Sequence, residues 1–306
     1  MRNFWKGFWL LVYPKIWITS TLPFLVGTAL AYGMTKQFNL YWFLVSLAGL
    51  YFIEIGKNAA NDLVDYLSGA DLAVAEENIT PFSGGRNRVL VNGYLNLQDA
   101  AAITVVMLII GSLFGLYITF CREAQIFWIG SAGLFLAYAY SLPPFKLAYR
   151  GLGELAVGIA FGPLIVSGAF VIQAHFLTWE VFWVSLPIGF LVVNILLINQ
   201  YPDYEADKSC NKRNWVVRLG KARGLRVYSL LFALAYLSLA LLFLLTKNPL
   251  WLLTFVSLPL AVRAVRTAAS ALNNISEFIG ANVNTFYIYQ LTGLFMLVSA
   301  LLCSRF

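Results

Sequence analysis

The chain has 306 residues, of which 60% are hydrophobic and only 11% are charged, with a formal net charge of +7. Soluble domains carry about 25% charged residues, so the composition excludes a soluble enzyme and a disordered chain. The three cysteines lie far apart and there is one histidine, which excludes a disulfide scaffold and a metal centre built from His or Cys. We therefore expect an integral membrane protein.

Continuous apolar runs, rather than alternating apolar and polar residues, favour membrane-spanning helices over a lipid-facing barrel. A helix crosses the bilayer with about 20 residues. We predict an all-α polytopic bundle of nine transmembrane helices that forms a single domain over 1–306. The predicted spans are 16–34, 39–60, 100–120, 125–142, 153–174, 179–200, 225–246, 249–269 and 285–303.

The basic residues are distributed unevenly between the two sides of this topology. If the N-terminus is cytoplasmic, 17 of the 21 Lys and Arg residues lie on the inner side. This bias follows the positive-inside rule and predicts a cytoplasmic N-terminus. The excess positive charge is thus explained by topology, and we expect no nucleic-acid partner. The predicted location is the cell (inner) membrane.

Acidic residues cluster after the second and the sixth predicted spans, also on the inner side. Asn61 precedes Asp65 by four residues, and Asn199 precedes Asp203 and Asp207 at the same interval. On one continuous helix, Asn199, Asp203 and Asp207 would share a face. In the first cluster Ser68-Gly69 is expected to end the helix. Asp71 would then fold back toward Asn61 and Asp65. Because both clusters lie on the inner side, the predicted active site faces the cytoplasm.

Carboxylates gathered in this way repel one another and require a positive partner. Oxygen ligands without His or Cys favour Mg²⁺, which one or two carboxylates hold while substrate phosphates complete its coordination. The sequence therefore predicts a metal-bridged polyphosphate site. Its candidate metal ligands are Asn61, Asp62, Asp65, Asp71, Asn199, Asp203 and Asp207.

Basic residues on the same side are suited to clamp phosphate oxygens. A third inner segment, between the fourth and fifth spans, carries tyrosines and bases, among them Tyr140, and is expected to cap the same cavity. The candidate phosphate-binding residues are Arg86, Lys146, Arg150, Lys208, Lys212 and Arg213.

These motifs resemble those of a known family. Asn61-Asp-x-x-Asp65 with Asp71, and Asp203-x-x-x-Asp207, are similar to the two Asp-rich motifs of the UbiA superfamily of intramembrane prenyltransferases. The runs Pro-Phe-Ser-Gly-Gly-Arg, Tyr-Ser-Leu-Pro-Pro-Phe-Lys, Arg-Gly-Leu-Gly-Glu and Lys-Arg-Asn-Trp-Val-Val-Arg-Leu-Gly resemble its 1,4-dihydroxy-2-naphthoate prenyltransferase branch, of the menaquinone pathway.

The resemblance implies a helical bundle around a central cavity, two Mg²⁺ ions and a long-chain isoprenyl diphosphate whose tail leaves toward lipid. Asp65, Asp203 and Tyr140 are the implied catalytic residues, and Lys212 matches a base that contacts the diphosphate. The implied reaction transfers the polyprenyl group to an aromatic acceptor, 1,4-dihydroxy-2-naphthoate, with loss of CO₂. Asp62 and Glu154 are alternative candidates for a base. No obligate protein partner is indicated beside the lipid bilayer.

Two alternatives remain open from the sequence. The first is a prenyltransferase of the same type with another acceptor, such as a hydroxybenzoate, a homogentisate-like phenol, a chlorophyll precursor or a glycerol phosphate. The second is an ion-coupled transporter, since acids within membrane spans often mark ion pathways. A transporter of this kind would have its acids near the bilayer midplane, whereas the acids here lie at the ends of spans and Glu54 is the one acid more than two residues inside a span.

Overall fold

A computed structural model describes residues 3–75, 88–272 and 274–303 of the chain. Within these residues the secondary structure is helical and contains no β-strand, which confirms the predicted fold class. The α-helices are α1 (Phe4–Val12), α2 (Ile18–Thr35), α3 (Leu40–Leu67), α4 (Ala70–Ala73), α5 (Leu97–Cys121), α6 (Ile126–Ser141), α7 (Gly153–Ile159), α8 (Ile165–Ala174), α9 (Trp179–Asn199), α10 (Tyr204–Ser209), α11 (Trp215–Leu219), α12 (Lys221–Thr246), α13 (Leu258–Ser270) and α14 (Ile275–Leu301).

Helices coincide with all nine predicted apolar segments. In the part of the chain described here, six helical stretches are long and apolar enough to cross a membrane. The pair Phe4–Ile16 and Ile18–Thr35, bent by 46°, makes a seventh if it forms one crossing. The protein is therefore an integral, multi-pass membrane protein. The count of nine crossings and the cytoplasmic N-terminus remain predictions.

The fifth predicted span is a composite helix. A π-helical segment, Ala160–Leu164, joins α7 to α8 and contains Pro163. Proline lacks the N–H that an α-helix requires, so the wider turn accommodates it without ending the span. This segment turns Phe161 toward the interior of the bundle, where the ring lines the central cavity.

Close helix contacts hold the bundle together around that cavity. Helix α3 packs along α5, and α2 packs against both α8 and α14. At Gly27 the backbone of α2 approaches the carbonyl of Val166, and at Gly33 it approaches the carbonyl of Ala300, so a Cβ at either position would clash. Small residues that let backbones approach are a common basis of helix packing in membranes.

The ends of α3 place the first acidic motif. Asn39 caps the start of α3 by accepting a hydrogen bond from the Trp42 amide. The helix ends at Leu67, and Gly69 adopts a left-handed conformation with φ +83°. This turn confirms the predicted helix end at Ser68-Gly69 and starts the short helix that carries Asp71.

Candidate active site

A cavity of about 600 Å³ occupies the centre of the bundle. One end is polar and is lined by Asn61, Asp65, Asp203, Asp207 and Lys212. From there the cavity continues between α3, α5, α6 and α8, along walls of glycine and aliphatic side chains that end near Ile118 and Ile126. The site thus joins a charged end to a long apolar chamber.

Asp65 is the centre of the charged end. Its side chain is buried, and its Oδ2 accepts hydrogen bonds from Asn61 Nδ2 and Lys212 Nζ, each at 2.9 Å. The hydroxyl of Tyr149 donates to Asp65 Oδ1 at 2.7 Å, and Ser141 donates to Asn61 Oδ1 at 3.1 Å. The predicted pairing of Asn61 with Asp65 across one helical turn is therefore present.

Asn199 does not lie on the same helix as Asp203 and Asp207, so the prediction of one shared helix face is wrong. Helix α9 ends at Asn199, a turn runs through Pro202, and α10 begins after Asp203. Proline at this point cannot continue the α9 ladder of hydrogen bonds, which explains the break. Asp203 and Asp207 are buried and line the cavity. Asn199 also lines it, and its Oδ1 accepts a hydrogen bond from Asn282 of α14.

Lys212 connects the two motifs. Its Nζ lies 2.9 Å from Asp65 Oδ2 and 3.5 Å from Asp207 Oδ1. Burial lowers the pKa of Lys212, but the carboxylates of Asp207 and Asp65 raise it more strongly and hold it well above its usual value. The side chain is therefore a cation. Asn214 donates to the other oxygen of Asp207 at 2.7 Å.

This single cation does not balance the local negative charge. Burial, with the charges of Asp65 and Asp62, raises the pKa of Asp71 to about 8. Burial likewise raises the pKa of Asp207 to about 6, although Lys212 opposes the shift. Among the described residues, no group of three His, Cys, Asp or Glu side chains could hold a metal ion without other ligands.

The segment between α6 and α7 covers the charged end, as the sequence predicts. Tyr149 bonds both Asp65 and Ser68, and Tyr140 lines the cavity with its ring against Gly153. The sequence analysis had named Tyr140 but missed Tyr149. Only its place in a tyrosine-rich loop indicated its involvement.

Most of the other predicted phosphate-binding residues lie outside the cavity. Arg150 is exposed and donates to the Pro144 carbonyl, and Lys208 is exposed beside the ring of Tyr204. Arg213 is exposed, and Lys146 lies over the Tyr149 ring. Lys208 and Arg213 were predicted near the site because they are close to Asp207 in the sequence. In the structure, the helical phase of α10 and the following turn direct their side chains away from it. Arg86 falls outside the described residues.

Two acids lie in the cavity wall beside the predicted metal ligands, and one of them, Glu154, is a candidate base from the sequence. Glu154 is 1% exposed and accepts hydrogen bonds from Gln200 and from the Trp215 amide. Deeper along α3, Glu54 pairs with Lys57 at 3.0 Å, so the acid within the span is neutralised. A single ion pair of this kind does not form a pathway for protons or ions. The acidic cluster lies at helix ends, which also argues against the transporter alternative.

Comparison with known proteins agrees with this geometry. The sequence profile of the UbiA prenyltransferase family matches residues 20–301. The chain belongs to the UbiA prenyltransferase family. It is therefore a prenyltransferase, and the recognition of its motifs in the sequence is confirmed.

Two relatives of this UbiA protein have curated names. A 2-carboxy-1,4-naphthoquinone phytyltransferase of Synechocystis sp. is 30% identical over 258 residues, which cover 83% of this chain and 80% of that protein. A 1,4-dihydroxy-2-naphthoate octaprenyltransferase of Bacillus subtilis is 29% identical over 259 residues, covering 84% of this chain and 80% of the relative.

A solved structure shares the fold. A UbiA homolog from Archaeoglobus fulgidus, bound to DMAPP and Mg²⁺, superposes with a TM-score of 0.67 at 18% sequence identity. The match covers 94% of this chain and 99% of that structure. The all-helical architecture of this UbiA protein is thus that of an experimentally determined relative.

Proposed function

We propose that this UbiA protein transfers a polyprenyl group from a long-chain isoprenyl diphosphate to 1,4-dihydroxy-2-naphthoate, with loss of CO₂. The names of the Synechocystis and Bacillus relatives support a naphthoate-type acceptor. The observation that carries the proposal is the joint presence of a carboxylate cluster and a long apolar chamber in one cavity. A diphosphate with a prenyl tail has the matching distribution of charge and apolar surface.

The donor set at the charged end fits Mg²⁺. It consists of carboxylate and amide oxygens from Asn61, Asp65, Asp71, Asp203 and Asp207, with Asp62 on the next turn of α3. Burial and the nearby charges of Asp65 and Asp62 raise the pKa of Asp71 to about 8, so a bound cation would favour its charged form. Mg²⁺ sites commonly use one or two carboxylates and leave the remaining positions to phosphates and water, so three convergent acids are not required.

We assign two Mg²⁺ ions to this end, one near each motif. Bound there with the diphosphate, they would neutralise the leaving group and lower the barrier to breaking the allylic C–O bond. Asp65 and Asp203 are the ligands that we expect to matter most, because both are buried and line the cavity. Asn199 has the weakest case, since its side-chain oxygen is bonded to Asn282.

Lys212 is the cation that we assign to the diphosphate. It lies between Asp65 and Asp207, so it would contact any phosphate oxygen that bridges the two motifs. Lys146, Arg150, Lys208 and Arg213 would need a change of side-chain position to reach the site. Tyr140 presents an aromatic ring to the cavity, which is suited to stabilise positive charge on the allylic carbon.

The apolar chamber provides the other half of the function. Gly115 and Gly133 line it, and no atom would lie within 4 Å of a Cβ at either position. This open, water-poor space suits a flexible prenyl chain and keeps water from a carbocation-like transition state. We further propose that the chain forms a single domain over 1–306 with nine crossings of the cell (inner) membrane. Its N-terminus and its active site would both face the cytoplasm.

The test is turnover by purified protein in detergent. Labelled long-chain isoprenyl diphosphate is supplied with Mg²⁺ or EDTA and with a panel of acceptors that includes 1,4-dihydroxy-2-naphthoate. A prenylated, decarboxylated naphthol that forms only with Mg²⁺ supports the proposal. Reaction with a hydroxybenzoate or another acceptor instead would contradict the acceptor assignment while retaining the prenyltransferase activity.

A further inference from the structure

Glu154 has an oxygen that no described residue uses. The side chain is 1% exposed, lies at the start of α7 and lines the central cavity. Its Oε1 accepts two hydrogen bonds, from Gln200 Nε2 at 2.8 Å and from the Trp215 amide at 2.7 Å. Its Oε2 accepts none from the residues that the structure describes. A buried oxygen left in this way is costly unless a ligand satisfies it.

The hydrogen bonds of Glu154 place it beside the diphosphate end of the cavity. Gln200 lies within the second motif, between Asn199 and Asp203. Trp215 follows Asn214, whose amide donates to Asp207 at 2.7 Å. Because consecutive Cα atoms are about 3.8 Å apart, Glu154 and Asp207 are tied to adjacent points of the backbone. The Glu154 carboxylate is thus held next to the acidic cluster by Gln200 and by the Trp215 amide, and neither of these groups is a proposed metal ligand.

Glu154 also differs from Glu54 and Asp65, two other buried acids of the cavity wall. Glu54 is paired with Lys57 at 3.0 Å, and Asp65 is paired with Lys212 at 2.9 Å. Over the described ranges, no Lys, Arg or His lies within ion-pair distance of Glu154. Its hydrogen bonds to Oε1 stabilise the carboxylate form and fix its orientation. Gln200 Oε1 also lacks a donor among those residues, so two acceptor oxygens lie together.

Buried acceptor oxygens on Glu154 and Gln200 suit a ligand that donates a proton, such as a phenolic hydroxyl. We propose that Glu154 is the catalytic base that takes the hydroxyl proton of the aromatic acceptor, and that Gln200 orients it. This assignment rests on the proposed function. Sequence alone left Glu154 and Asp62 as alternatives, and the hydrogen bonding of Glu154 distinguishes it.

The proposed step conserves atoms and charge. The acceptor O–H bond breaks, and its proton moves to Glu154 Oε2. The electron pair left on oxygen moves through the ring, which forms a C–C bond to the first prenyl carbon as the C–O bond to diphosphate breaks. The reacting ring carbon then loses CO₂ from its carboxylate, or a proton to an oxygen of the released diphosphate, and its bonding electrons stay in the ring. Glu154 returns the first proton to the oxygen.

The test compares Glu154→Gln with wild type and with Glu205→Gln, which changes an exposed acid of α10. A general base contributes about 100-fold or more to the rate, so kcat should fall by at least that factor in Glu154→Gln. The affinity for a non-reactive prenyl thiolodiphosphate with Mg²⁺ should change by less than about twofold. Glu205→Gln should match wild type in both measurements.

A series of naphthols with graded hydroxyl acidity separates a base from a structural residue. The kcat deficit of Glu154→Gln should shrink as the acceptor becomes more acidic, because an ionised acceptor needs no base. Glu154→Asp, which retains the carboxylate, should recover part of the rate and serves if the glutamine variant does not fold.

Three results would overturn the assignment. These are an unchanged kcat in Glu154→Gln, loss of thiolodiphosphate binding, and a deficit that is independent of acceptor acidity. The comparison is made on whichever phenol the wild-type protein prenylates. Failure with 1,4-dihydroxy-2-naphthoate would therefore contradict the acceptor in the proposed function, while the ratio of variant to wild type still decides the role of Glu154.

Discussion

Lys212 forms an ion pair with Asp65, a residue 147 positions earlier in the chain, at 2.9 Å. The pair joins the turn after α10 to the C-terminal end of α3, and so it fixes the two acidic motifs relative to each other. In the described part of the chain, Lys212 is also the one cation within 4 Å of Asp65 and Asp207. Charge balance and tertiary structure therefore depend on the same side chain.

Replacing Lys212 by Met should destabilise the protein when metal is absent. Removing one partner of a buried pair leaves the carboxylates of Asp65 and Asp207 uncompensated, at an expected cost of about 3 kcal/mol. Mg²⁺ should restore much of the lost stability, because it binds the folded site. Thermal unfolding in detergent, with EDTA or Mg²⁺, measures both effects.

Lys208→Met is the matched control for that experiment, since Lys208 is exposed and lies outside the cavity. Its melting temperature should equal that of wild type in both buffers. Equal melting of Lys212→Met and wild type in EDTA would show that the ion pair has no structural role.

Asp65→Ala and Asp203→Ala should abolish turnover without unfolding the protein. Each change removes a buried acid from the diphosphate end of the cavity, and Asp207 remains to compensate the charge of Lys212. We expect kcat to fall by at least about 100-fold, as when a group that stabilises leaving-group charge is removed. Turnover is measured beside a size-exclusion profile in detergent, and activity retained in both variants would be incompatible with the metal site.

The sequence predicted the fold class and the centre of the site because both depend on local patterns. Apolar segments and the helix end at Ser68-Gly69 can be identified from consecutive residues. The spacing of four residues is enough to place Asn61 and Asp65 on one helix face. Lys212 was predicted to contact the diphosphate by resemblance, and it lies in the cluster. Predictions of this kind require no knowledge of tertiary structure.

The errors arose where tertiary structure decides the outcome. Asn199 was expected to share one helix face with Asp203 and Asp207, but α9 ends at Asn199 and the chain turns at Pro202 before α10. Lys208 was assigned from its proximity to Asp207 in the sequence, and Arg150 from its place in the loop before α7. The directions of both side chains depend on turns that spacing does not encode. Tyr149 and Gln200 were missed because their partners, Asp65 and Glu154, are 84 and 46 residues away.

Filling the apolar chamber should shorten the prenyl chain that the enzyme accepts. Gly133 lines the chamber and has open space around the position of a Cβ, so Gly133→Leu is expected to fold. The added side chain would occupy volume needed by a long tail but not by a short one. We expect kcat/KM to fall by about tenfold or more with octaprenyl diphosphate and to change little with geranyl diphosphate.

Leu230→Trp controls for bulk added to a span, because Leu230 is exposed on α12 and is absent from the cavity wall. It should leave the preference between the two diphosphates unchanged. If Gly133→Leu also left the preference unchanged, the chamber between α5 and α6 would not hold the tail.

Native cysteines allow a direct test of orientation. Cys121 is exposed at the end of α5, and Cys210 is partly exposed beside the second motif. With a cytoplasmic N-terminus and the predicted crossings, Cys121 lies outside and Cys210 lies inside. A membrane-impermeant maleimide should therefore label Cys121 in spheroplasts and Cys210 in inverted vesicles, with Cys121→Ser and Cys210→Ser identifying each product. Labelling of Cys210 in spheroplasts would reverse the proposed topology.

The central claim is that the two acidic motifs hold divalent metal together with the diphosphate. Its most direct test is electron paramagnetic resonance of Mn²⁺ titrated into purified protein with a prenyl thiolodiphosphate, compared with Asp65→Asn and Asp207→Asn. The account predicts two bound Mn²⁺ ions per chain in wild type and the loss of at least one in each variant. Equal Mn²⁺ uptake by wild type and both variants would contradict it.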